Sequence, residues 1–142
     1  MKKLQFAIEI SAPAEKVWNA LWKDENYRNW TAVFQEGSYA ESDFQEGSKF
    51  RFLNPDNDGV WGEIISMIPN EKMYLLHKGE VQKGEEQPQT YGDDAIENYD
   101  LVENNGKTEL TATMNAPEDY IQYFTSTFPV ALEKVKEIAE KK

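Results

Sequence analysis

The sequence predicts an α+β fold, a curved antiparallel sheet of about seven strands around a long C-terminal helix, in the order strand, two helices, six strands, helix. Three observations carry this. An alternating strand opens the chain and leads into two short helices; strand-like segments joined by short turns fill the middle; an amphipathic stretch runs from about residue 115 to the end.

Residues 3 to 10 place Leu4, Phe6, Ile8 and Ile10 on one face and Lys3, Gln5 and Glu9 mostly on the other, the pattern of a half-buried strand. Pro13 then suits a first helical turn, where its missing N–H would have no partner and its φ is already helical. Val17, Trp18, Leu21 and Trp22 follow as a stripe at helical spacing. Strands are expected around 36 to 41 and 48 to 53, separated by the turn-rich Ser42 to Gly47. Asn54 to Gly59 is a hairpin turn in which Asp58-Gly59 can take positive φ, and residues 60 to 68 resume as a strand. After a turn at Pro69-Asn70-Glu71, Lys72 to Lys78 forms the next strand, and Gly79 to Asp94 reads as the longest loop. Ile96 to Val102 and Lys107 to Met114 flank Asn104-Asn105-Gly106, a strong hairpin signal.

The last helix is expected to start at Asn115-Ala116-Pro117-Glu118, with a capping residue, an early proline and acids at the positive end of the helix dipole. Tyr120, Ile121, Phe124, Phe128, Ala131, Leu132, Val135 and Ile138 share one face. Pro129 interrupts the backbone ladder and should bend this helix at Thr125 to Phe128.

With 142 residues, 39% hydrophobic and 13% aromatic, the chain can build one core, and residues 1–142 are expected to form a single complete domain. A net charge of −11 argues against phosphate backbones and anionic lipid, which need clustered Lys and Arg. The absence of Cys removes disulfides, thiolate nucleophiles and cysteine zinc sites. No apolar run approaches the roughly 20 residues that span a bilayer, and Met1-Lys2-Lys3-Leu4 enters the first strand with no signal segment, so a cytoplasmic protein is expected. Oligomeric state is not readable.

Three segments carry a family resemblance: Ala12 to Trp18 together with Trp30, Gly62 to Lys72, and Gly106 to Thr111. They make the chain similar to the START-like helix-grip proteins of the SRPBCC superfamily, and within it to the branch named for the activator of the heat-shock protein 90 ATPase. The resemblance covers nearly the whole chain and implies that Trp30 closes the second helix against the sheet. It also implies a cavity between sheet and long helix and a function among binding of lipids, steroids or other apolar molecules, polyketide cyclisation and protein interaction. The co-chaperone of that branch carries a separate N-terminal chaperone-binding domain, whereas this sequence opens on its first strand.

Phe50, Phe52, Trp61, Tyr99, Phe124 and Phe128 are the candidate ligand-binding residues, as apolar walls of such a cavity. Each ring has a second reading as ordinary core filling, which periodicity does not separate from a cavity wall. The faces of residues 60 to 68 stay ambiguous, because both alternating sets contain apolar side chains. The expected partner is therefore a small apolar or aromatic ligand, with no cofactor.

Catalytic material is scarce. His77 is the sole histidine and reads as a partly exposed strand residue, without the partners that serine-hydrolase or typical zinc chemistry needs. Asn54, Asp56, Asp58 and Gly59 imitate half a calcium loop, but Ile65 stands where its bidentate Glu belongs, so no metal is expected. An enzymatic alternative is a cofactor-free cyclase or hydratase, in which Glu63 or Glu97, desolvated in an apolar pocket, acts as general acid or base. A third alternative is a co-chaperone-like interaction module.

Overall fold

In the computed structural model, which describes residues 1–141, alternation and turn chemistry produce eight strands and three helices. In chain order these are β1 (Lys2–Ile10), α1 (Ala14–Trp22), α2 (Asp24–Thr31), β2 (Tyr39–Ser42), β3 (Lys49–Leu53), β4 (Gly59–Ile68), β5 (Lys72–Gln82), β6 (Glu85–Glu86), β7 (Ile96–Asn104), β8 (Lys107–Ala116) and α3 (Glu118–Glu140). The sheet order is β1-β8-β7-β5-β4-β3-β2, with the short β6 paired to β5, and all its pairs are antiparallel. Long α3 lies against β1, α1 and α2, the helix-grip arrangement.

The turns obey their chemistry, with local differences from the sequence reading. Asn104 pairs with Lys107, and Asn105 and Gly106 between them take φ of 56° and 79°, the double positive φ of a two-residue hairpin. In the earlier turn it is Asn57 (φ 63°), and not Asp58-Gly59, that takes the left-handed conformation. Asn54 organises that turn, because its side-chain oxygen accepts the N–H groups of Asp56 (2.9 Å) and Asp58 (3.0 Å). The segment expected as a loop from Gly79 is strand to Gln82 and then a tight turn into β6, which leaves a loop of about 87 to 95. Arg51 and Lys49 explain the extension: both ion-pair with Glu86, at 2.9 and 2.8 Å, and so fasten the hairpin to β3.

Helix α1 begins one residue after Pro13, and the N–H of Ala14, which has no partner inside the helix, donates to Glu103 Oε1 at 2.7 Å. Its C-terminal end is tied to α2 by Trp30, whose indole N–H donates to Leu21 O at 2.9 Å in a fully buried position. At the other end, β8 continues to Ala116, so Asn115 is a strand residue whose amide donates to Asp94 O (2.6 Å), and α3 starts at Glu118 behind Pro117.

Pro129 lies inside an uninterrupted α3. What changes there is the packing. Phe128, Ala131, Leu132, Val135 and Ala139 are buried, whereas Tyr120 and Tyr123 in the first half are 54% and 41% exposed and Phe124 is half-buried. The second half is core, and the first half stands over open space.

Two β-bulges set which side chains face α3. Gly62 pairs with His77 and Trp61 with Gly79, so Lys78 is an extra residue on β5; Ile64 pairs with Leu75 and Ser66 with Tyr74, so Ile65 is an extra residue on β4. A bulge breaks the period of two, which resolves the ambiguous faces. Gly62, Ile64 and Met67 turn toward the core while Trp61, Glu63 and Ile65 turn away, and on β5 His77 and Glu80 both come to the helix side.

Candidate functional site

The open space is a cavity of about 1300 Å³ between α2, the first half of α3 and the helix side of the sheet. Its walls mix aromatic rings with polar side chains. Tyr27, Trp30 and Phe34 line it from the α2 side, Phe52 and Tyr99 from the sheet, and Tyr120, Tyr123 and Phe124 from α3 above. Phe128 closes the inner end, its ring 5.3 Å from Phe6 and 4.8 Å from Phe34 between centroids. The roof is held by little: Tyr123 O–H donates to Phe34 O at 2.8 Å, and the Tyr123 ring meets the edge of Phe34 at 6.2 Å.

Among the six rings singled out from the sequence, Phe52, Tyr99, Phe124 and Phe128 line this cavity, and Phe50 and Trp61 do not. Phe50 is fully buried beneath Gly62, where an added Cβ would stand 2.7 Å from the Phe50 ring and 2.0 Å from Leu76 O, so ring and strand already touch. Trp61 sits on the opposite face, its indole N–H donating to Gln87 O at 2.8 Å and Lys49 Nζ lying 5.4 Å from the ring centre. The two carboxylates separate in the same way. Glu63 faces away and pairs with Lys78 at 2.9 Å, whereas Glu97 lines the cavity.

Glu97 is the centre of a polar cluster. On β7 it precedes Tyr99 by two, hence on the same face, and it lies diagonally across from His77, because Leu75 is its register partner on β5. His77 Nε2 stands 2.8 Å from Glu97 Oε1, and the Tyr99 hydroxyl donates to Oε2. Burial, reinforced by the Glu97 charge, pushes the phenols of Tyr99 and Tyr27 well above the usual tyrosine range, so both stay protonated and remain donors. Around the cluster stand Phe50 and Phe52, 5.4 and 6.2 Å from the imidazole, and Trp22, whose edge meets Tyr99 at 5.2 Å. Asp58, Glu80, Glu85 and Lys83 also line the cavity.

From the sequence His77 reads as a partly exposed strand residue, and no pattern marks Tyr27, Phe34, Tyr120 or Tyr123 as lining. His77 carried a usable signal, the alternation Met73, Leu75, His77. Tyr27 carried none, because a wall residue on an eight-residue helix looks like core. Among the described residues no group of His, Asp and Glu has the arrangement of a metal site, and no helix is long and apolar enough to cross a membrane.

A sheet gripping a long helix with a cavity between them defines the SRPBCC type of fold. Residues 11–139 match the family described as Activator of Hsp90 ATPase homolog 1-like protein, and the chain belongs to it. No curated protein matches the sequence. Among solved structures, the Aha1 dimer of Colwellia psychrerythraea is similar over 99% of this chain and 97% of its own, with a TM-score of 0.73 at 18% identity. DynU16, from the dynemicin biosynthetic locus, also gives 0.73, at 13% identity over 99% of this chain, which spans about half (48%) of that protein. CalU16 of Micromonospora echinospora gives 0.69 at 15% identity, over 97% of this chain and 74% of the other. At these identities the likeness is one of fold.

Proposed function

We propose that this protein binds a small, largely apolar or aromatic ligand between the sheet and the first half of α3, as a cytoplasmic one-domain protein without a prosthetic group. The cavity carries the reading. Its volume of about 1300 Å³ exceeds what packing defects leave in a core, and water lying against the rings of its walls has few partners there. An apolar ligand displaces such water favourably and leaves its edge groups to a few convergent polar atoms. DynU16, from a biosynthetic locus, is consistent with small-molecule chemistry on this fold.

The test is a panel of steroids, fatty acids and flavonoids, followed by tryptophan fluorescence and native mass spectrometry. Trp30 lines the cavity and is the expected reporter, with saturable quenching and a one-to-one complex. Phe124→Trp adds bulk under the roof and should weaken binding more than folding. No saturable response to any panel member, together with a stability loss of about 1 to 3 kcal/mol in Phe124→Trp from overpacking, would reject the reading. A second reading, a cofactor-free cyclase or hydratase, is favoured by the placement of Glu97 on the cavity wall, and product analysis of the same mixtures separates it from simple binding.

A further inference from the structure

The polar end of the cavity is chemically one-sided. A carboxylate only accepts hydrogen bonds, so the two groups that meet Glu97, the imidazole Nε2 and the Tyr99 hydroxyl, must both bring a proton to it. A neutral imidazole has one N–H. With the proton on Nε2, the Nδ1 of His77 is left as a bare lone pair, and no protein group among the described residues donates to it. Nor is it sealed in: Trp22 Nε1 is the one buried side-chain nitrogen or oxygen without a partner among those residues, and His77 lines the cavity. Tyr99, fully buried and held between Trp22 and Trp30, keeps Glu97 from turning, so the carboxylate fixes both the ring orientation and the tautomer.

We propose that His77 Nδ1 is a hydrogen-bond acceptor held ready for the ligand, and that the site selects aromatic molecules carrying a hydroxyl, which donates to it. Glu97 and Tyr99 are positioning residues. This rests on the cavity reading above and narrows it to a ligand class. The pieces agree with one another. Aromatic walls suit a ring system, an imidazole edged by Phe50 and Phe52 suits a hydroxyl at the margin of that system, and a carboxylate behind the imidazole strengthens it as an acceptor. The cavity lining disfavours anions, because Asp58, Glu80, Glu85 and Glu97 stand against a single lysine, Lys83. Fatty acids are thereby disfavoured, although the walls alone would accept their chains.

Because His77 is the sole histidine, its ring nitrogens give one pair of imidazole signals, and NMR of the ¹⁵N-labelled protein reads the tautomer directly. The expected result is a proton on Nε2 in the ligand-free protein. Titration with the matched probes 2-naphthol and 2-methylnaphthalene should then give about tenfold tighter binding of the naphthol, with the Nδ1 signal moving only for it. That ratio should collapse toward one in His77→Phe and shrink in Glu97→Gln. Equal affinities for the two probes, with amide shifts around the cavity, would overturn the acceptor while leaving the cavity reading intact. A proton on Nδ1 in the free protein would also overturn it. If neither probe shifts any cavity signal, the cavity reading falls and the acceptor with it. The two wild-type measurements decide the matter even if neither variant folds.

Discussion

Trp30 and Trp18 are a residue apart in kind, though both come from the same N-terminal helix pair. Trp30 is 2% exposed, packs its edge on Tyr27, Phe34 and Tyr99, and donates its indole N–H to Leu21 O, whereas Trp18 is half-buried and meets the core through Trp22 at 6.3 Å. Replacing a fully buried Trp by Ala costs about 3 to 5 kcal/mol through lost burial and the cavity left behind. Trp30→Ala is thus expected to lose about that much in denaturant unfolding, and Trp18→Ala clearly less; equal losses would contradict the burial difference. The stripe Val17, Trp18, Leu21, Trp22 identifies the packing face, and Trp18 lies half-buried at its edge. Two small residues, Ala14 and Ala20, hold part of that face, and alanine leaves no mark in a hydrophobic pattern.

At the scale of elements, the β5–β6 hairpin is held to β3 by charge. Hydrogen bonding from Lys49 chiefly, opposed by partial burial and aided by Arg51, holds the Glu86 carboxyl below the usual glutamate range. A carboxyl more acidic in the folded than in the unfolded protein contributes stability that is complete above its unfolded pKa and vanishes as pH falls through the folded one. Glu86→Gln should therefore cost about 0.5 to 1 kcal/mol at neutral pH, a modest value because Lys49 is largely solvated, and nothing once the pH lies below the carboxylate range. Melting curves of both proteins across acid pH check this, and a difference that persists in acid would assign the effect to packing. These charges were readable as residues but not as a cluster, since Lys49 and Glu86 are 37 positions apart. The strand faces were unreadable for a sharper reason. Extra residues at Ile65 and Lys78 break the alternation from which faces are inferred, so Trp61 and Glu63 looked as suited to the cavity as Glu97.

For the whole molecule, the order of elements was legible because each junction carries local turn or capping chemistry: Asn105-Gly106, Asn54 to Gly59, Pro13 and Pro117. The cavity was half legible. Phe124, Phe128, Phe52, Tyr99 and Glu97 were within reach of pattern, while the side chains that complete it from α2 depend on how two helices dock, which no local signal encodes. One architectural feature also bears on time rather than affinity. The roof over the cavity is the first half of α3, whose attachments are one hydrogen bond and a few ring edges, while its other half is welded into the core. We predict that such a roof opens at a frequency of its own, limited by Tyr123 letting go of Phe34 O, before any ligand arrives. Stopped-flow association should accordingly level off with ligand concentration at a ceiling common to chemically different ligands, and Tyr123→Phe should raise that ceiling. Rates that climb linearly without limit, or ceilings that differ from ligand to ligand, would mean that the roof does not gate the cavity. With a shared ceiling, the protein tells its ligands apart by how long it holds them and not by how fast it admits them.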